Sequence, residues 1–221
     1  MRGREIGSGR RRHTRSEPKH HGYFSEGAGL VAGGEAASIG PFVRGLSPER
    51  GCANGGGAKD APLPKGFDYD LWLGPLPYRP FRKEYAPFSW RHFWEFGGGT
   101  LADFWCHYSD LAHWALDLTH PVTIHAQGGK ARPERVTVKL KVDYPYPARG
   151  KKPPVNLTWY QGGEKPAVLR DAQKKRWGSG VLFVGEGGML LSDYGKHVLL
   201  PEDDFKDFKR SPKTIPNSIG H

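Results

Sequence analysis

The run Gly97-Gly-Gly-Thr-Leu-Ala-Asp103-Phe-Trp-Cys-His107-Tyr-Ser-Asp110 gathers the residue types from which a proton-transfer site can be built. On a helix, positions four apart share a face, so Asp103 and His107 stand one turn apart, with Asp110 further along the same stripe. An imidazole can take the proton of an alcohol near neutral pH while hydride leaves the carbon, and a neighbouring carboxylate can orient the ring or bind an adjacent hydroxyl. Glycines ahead of the helix let a ligand approach the backbone closely, and a helix start offers unpaired N–H groups. Two other readings use the same residues. Asp103 can close a helix cap, with His107 a hydrogen-bonded core histidine. Alternatively, Asp103, His107 and Asp110 can share a metal ion, although nothing like H-E-x-x-H occurs and His113 points elsewhere.

These groups need a helix to carry them, and apolar spacing supplies one. Leu101, Phe104, Tyr108, Leu111, Ala112 and Ala115 recur at three and four, which predicts a helix from Thr100 to about Leu118, with Pro121 just beyond its end. Thr100 followed by Asp103 fits a capping-box start. Past Val122 the period changes to two: Val136, Val138, Leu140 and Val142 alternate with Thr137, Lys139 and Lys141 as in a half-buried strand, with Asn156–Tyr160 as its partner. A strand pair turns about Gly185–Gly188, and Val198–Leu200 is a third short strand. Before the helix, Leu63–Phe81 contains Pro75, Pro77 and Pro80, which forbid a long helix or a central strand and predict an extended segment anchored by Phe67, Trp72 and Tyr78. One helix followed by a run of strands makes the fold class α+β: an open, mainly antiparallel β-sheet, formed after residue 122, packed against the helix that follows the GGG turn.

Residues 1–61 read differently. Glycine is concentrated there, no apolar period is sustained, and the segment is expected to be disordered or unmatched, leaving 62–221 as the folded domain. The net charge of +10 invites a nucleic-acid reading, but the excess is diluted. Residues 1–60 hold 10 Lys/Arg against 6 Asp/Glu, so no nucleic-acid partner is expected. Only Cys52 and Cys106 occur, without a CxxC pairing, which suggests neither a disulfide framework nor a cysteine metal site and points to a reducing, cytoplasmic setting. No stretch of 18 apolar residues is present to span a membrane, and no apolar h-region follows the early arginines.

The blocks Phe67-Asp-Tyr-Asp-Leu-Trp-Leu-Gly-Pro75, Phe88-Ser-Trp-Arg91 and Gly97-Gly-Gly-x-x-x-Asp103-x-x-x-His107 occur in the order found in a bacterial branch of the glucose-fructose oxidoreductase and inositol dehydrogenase (Gfo/Idh/MocA) family. Gly180–Gly188, Leu199-Leu-Pro201 and Ser211–Pro216 look like later parts of that pattern, so the chain resembles the family's C-terminal substrate domain from about residue 62 onward. The resemblance implies that His107 is the proton acceptor and Asp103 its companion at the substrate. It places Gly98 and Gly99 beside substrate and nicotinamide and makes Arg91 a substrate contact, unless Arg91 is a surface arginine stacked on Trp90 or Trp94. It further implies NAD or NADP as cofactor, a sugar or polyol hydroxyl as substrate, and a homo-oligomer through the open sheet face.

The sequence also departs from the family. Gly27-Ala-Gly29-Leu-Val-Ala32 satisfies G-x-G-x-x-A, but no buried strand precedes it, so a nucleotide site is not expected there. Glu164-Lys165-Pro166 matches the family's catalytic-lysine motif letter for letter but follows the Asp/His motif instead of preceding it, and reads as coincidence. The Rossmann domain is therefore expected to be missing and the C-terminal end clipped. The chain is read as the substrate side of an NAD(P)-dependent oxidoreductase, inactive alone, or alternatively as a non-catalytic carbohydrate-binding or oligomerisation domain.

Overall fold

The computed structural model describes residues 34–39, 59–87, 89–130, 132–171, 177–209 and 212. The fold is α+β, with one long helix lying across a mixed, mainly antiparallel sheet. Among the described residues, the α-helices are α1 (Tyr69–Leu73), α2 (Gly99–Leu116) and α3 (Ala167–Asp171). Seven strands follow the order β2 (His125–Gly128), β3 (Leu140–Tyr146), β4 (Val155–Gln161), β1 (Gly34–Ile39), β5 (Gly180–Gly185), β6 (Gly188–Ser192) and β7 (His197–Leu200) across the sheet. Every neighbouring pair is antiparallel except β1 with β4.

The sheet does not form wholly after residue 122. β1 comes from the segment read as unmatched and sits at its centre, Ala37 opposing both Thr158 and Leu182. The rest of 1–58 lies outside the described residues.

Alternation dictates which side chains meet α2. On β3 and β4, Val142, Tyr144, Tyr146, Val155, Leu157 and Trp159 are buried on one face, where they join Val181, Phe183 and Leu190 under Tyr108, Ala112 and Leu116 of the helix. A fully buried side chain of this kind contributes roughly 1.5–3 kcal/mol, so this layer fixes where α2 lies. A second cluster, Leu169 of α3 with Leu182, Leu191 and Leu200, covers the opposite face at the β5–β7 end.

The strand expected over Val136–Val142 begins later, at Leu140, and runs on to Tyr146. Val136 is drawn instead to the helix start: its N–H donates to the carbonyl of His92, and its side chain lies against Gly99. The Gln161 side-chain amide donates to the carbonyls of Thr137 and Val138, holding the chain out of the ladder there.

The proline-rich segment also departs from an extended anchor. Asp68 accepts from the Leu71 N–H at 3.0 Å and caps the short α1, so that Tyr69 and Leu73 turn inward with Phe81, Tyr85 and Phe93 into an aromatic cluster. Phe67 and Trp72 pack against it, whereas Tyr78 is 76% exposed and meets the cluster at its rim, edge-on to Tyr69 at 6.2 Å.

Candidate functional site

The helix start is built from close contacts that leave room only for glycine. Gly99 has φ +73°, and a Cβ there would stand 2.5 Å from Val136 Cγ2; one on Gly97 would meet the Arg91 backbone at 3.0 Å. Gly98 is the N-cap with no side-chain cap bond. The expected capping box at Thr100 and Asp103 is therefore absent: α2 begins before Thr100, and Asp103 lies beyond its first turn. Gly99 is buried and Gly98 exposed, so of the two glycines expected at the substrate only Gly98 faces outward.

Asp103 instead receives an ion pair. Arg91 Nε donates to Asp103 Oδ2 at 2.6 Å, and both side chains are half-buried. The guanidinium also lies over the Trp90 ring, 4.5 Å from its centroid, so the expected stacking is present and the stacked arginine is the one that pairs with Asp103. Arg91 is held by the 3-10 turn Ser89–His92, which the backbone of 134–136 pins from the other side: Trp94 N–H donates to the Glu134 carbonyl, Val136 N–H donates to the His92 carbonyl, and Phe93 bridges Arg135. Arg135 in turn pairs with Glu84 and lies over Phe93. His92, between these groups, has its imidazole pKa pushed below the usual value, first by burial and then by the positive charges of Arg135 and Arg91, against a smaller upward pull from Asp103.

His107 is exposed one turn beyond Asp103, its ring 5.7 Å from that of Phe104, and Asp110 is exposed further along the stripe. The core-histidine reading fits His113 rather than His107. His113 Nδ1 lies 2.8 Å from the Ser109 carbonyl and Nε2 lies 2.8 Å from the Tyr146 hydroxyl. The carbonyl can only accept, so Nδ1 carries a proton toward it; in that tautomer of the neutral ring, Tyr146 donates to Nε2. Among the described residues, no three His, Cys, Asp or Glu side chains are gathered as metal ligands would be. No helix of the described residues is long and apolar enough to cross a membrane.

The other motifs sit apart from this helix face. Glu164-Lys165-Pro166 lies between β4 and α3, where the Lys165 ammonium donates to the Trp177 carbonyl at 2.6 Å and burial lowers its pKa. Gly27–Ala32 lies outside the described residues, as does Cys52; Cys106 is free and exposed. Sequence reasoning missed His92, Arg135 and the β6–β7 turn, whose Tyr194 ring lies 5.5 Å from that of Tyr108 on the helix. These residues come from separate stretches, and no local spacing announces them.

The arrangement presents a fixed carboxylate and an exposed imidazole on one outward face of a rigid helix. Residues 54–152 match a family model described as an oxidoreductase family, C-terminal alpha/beta domain. The match takes in α1, the 89–92 turn, α2, β2 and β3, and stops before β4, so the later motif blocks fall beyond it. No curated protein matches the chain.

Proposed function

We propose, from the match of residues 54–152 to the C-terminal domain of the Gfo/Idh/MocA oxidoreductases, that the chain forms the substrate side of an NAD(P)-dependent enzyme acting on a sugar or polyol hydroxyl. The observation that carries this reading is the exposed His107 beside an Asp103 carboxylate anchored by Arg91.

In this reading the neutral His107 imidazole accepts the proton of the reacting hydroxyl. Asp103 accepts a hydrogen bond from a neighbouring hydroxyl, and Arg91, by gripping one carboxylate oxygen, sets the plane in which the other is offered. Arg91 thus serves as a positioning residue, and its stacking on Trp90 limits its reach toward substrate. Gly98 is the glycine that could approach substrate. A nicotinamide, when bound, supplies the hydride acceptor. The described residues do not fit a dinucleotide, because the one parallel strand pair, β1 with β4, brings no glycine turn and helix start to a pyrophosphate. In this reading the cofactor is held outside the described residues, and turnover needs that part to be present.

The face of β3 and β4 turned away from α2, with Lys141 half-exposed and Tyr160 partly covered by the cluster around Leu169 of α3, is where a homo-oligomer would form.

Turnover with the cofactor domain supplied in trans tests the proposal. His107→Asn should cost roughly 10²- to 10⁴-fold in turnover and remove the acidic limb of the pH–rate profile. Asp103→Ala should lower turnover with little change in stability. A His107→Asn enzyme with wild-type turnover and pH profile would falsify the assignment of the base.

A further inference from the structure

A general base works only if its accepting nitrogen is held toward the proton it removes, so something must aim the imidazole of His107. Asp103 does not. Among the described residues its ion pair is with Arg91, and no carboxylate lies within ion-pair distance of the His107 ring. That ring is exposed, and it meets Phe104, three residues back, at 5.7 Å between centroids and a tilt of 46°.

Helix geometry makes these two neighbours the alternatives. A helical side chain leans back over the preceding turn, and the +60° rotamer is closed to it, so two staggered directions remain for His107. They carry the ring over the surface made by Asp103 at i−4 and Phe104 at i−3. Phe104 is itself fixed: half-buried, it packs against the core cluster under α2, and its ring lies 6.5 Å from that of Tyr108 at an angle of 25°. Tyr108 is 4% exposed, so the core braces Phe104 from below while the imidazole touches it from the solvent side. An aromatic contact of this kind biases a two-rotamer equilibrium by roughly two- to tenfold. One direction of an otherwise free imidazole then dominates.

We propose that Phe104 is a positioning residue: its ring sets the direction in which His107 offers its basic nitrogen, while the Asp103 carboxylate stays committed to Arg91 and to substrate. The inference rests on the reading of His107 as base and names the group that aims it.

The test reads the ring and the reaction separately. In the full chain alone, three-bond couplings measured by NMR report the His107 rotamers, and the wild type should show one dominant. Phe104→Leu, which keeps apolar bulk without a ring, should bring the two populations within about twofold of each other, whereas Phe104→Tyr, which keeps the ring, should match the wild type. Phe104→Met repeats the leucine measurement with an unbranched side chain, in case leucine packs badly. Asp103→Ala should leave the rotamers as they are. With the cofactor domain supplied in trans, Phe104→Leu should lower kcat roughly two- to tenfold with KM within about twofold, and Phe104→Tyr should keep wild-type kcat. A wild-type His107 that already averages over its rotamers overturns the proposal. So do unchanged populations in both Phe104→Leu and Phe104→Met, populations that Asp103→Ala shifts as far as Phe104→Leu does, or a freed rotamer with wild-type kcat. The parent reading fails on a different result: if His107→Asn keeps wild-type turnover, His107 is not the base, whatever the rotamer populations show about Phe104.

Discussion

His92 shows how single charges around the site set its tolerance of acid. Its imidazole is half-buried, and the positive Arg135 and Arg91 outweigh Asp103, so the folded protein holds it below the ordinary value of about 6.5. The unfolded chain then binds more protons than the folded one in the interval between those two values. Stability is full above about pH 6.5 and falls as pH drops through that interval. His92→Gln should flatten this dependence while leaving the backbone bridge from Val136 N–H to residue 92 in place. Urea midpoints across that range check it; an unchanged acid slope in the variant rejects the role. The Asp103/His107 pair was legible in advance because both lie on one helix, where spacing alone dictates a shared face. The grip of Arg91 on Asp103 was not, since it depends on a turn 12 residues upstream being pressed to the helix start by the 134–136 backbone.

Helix α2 was legible as an element, in period and approximate ends, because thirteen buried residues of one cluster sit on or under its apolar stripe. Its start was misread for a reason of shape rather than propensity. Gly99 combines a positive φ with a contact to Val136 that admits no Cβ, so the glycines serve packing before any ligand. Gly99→Ala should therefore cost roughly 1–3 kcal/mol, measured by urea denaturation. Adding Val136→Ala should recover the part due to the clash and leave the part due to φ, giving a non-additive cycle. Thr100→Ala separates this account from a capping box: a lost cap costs about 1 kcal/mol, whereas a residue with no capping role shifts stability by less than about 0.5 kcal/mol. At the other end, Arg149 Nε donates to the Leu116 carbonyl at 2.9 Å, so the last turn of the helix is tied to the β3–β4 loop.

At the scale of the whole molecule, the sheet is two three-stranded antiparallel halves joined through one strand. β2, β3 and β4 form one half and β5, β6 and β7 the other, and both pair with β1. The hairpins were readable from alternation and glycine turns, because each half is local in sequence. β1 was not, because Gly-Glu-Ala-Ala-Ser-Ile has weak strand propensity and its pairing is decided by two open edges brought together more than a hundred residues later. This places a strict demand on the segment before residue 40. Ala37 opposes Thr158 on one side and Leu182 on the other, so its N–H faces a strand in either direction. Ala37→Pro removes that donor inside a central strand, where proline is not accommodated, at a cost on the order of 3 kcal/mol. Amide hydrogen exchange should show β4 and β5 losing protection together in this variant, since β1 is their shared neighbour, while the β5–β6 and β3–β4 pairings keep part of theirs. A truncation after residue 33 should preserve the wild-type pattern, and one after residue 40 should reproduce the proline variant. Wild-type protection of β4 and β5 in Ala37→Pro would mean that the two halves stand without β1, and that α2, which lies across both, is what holds them in register.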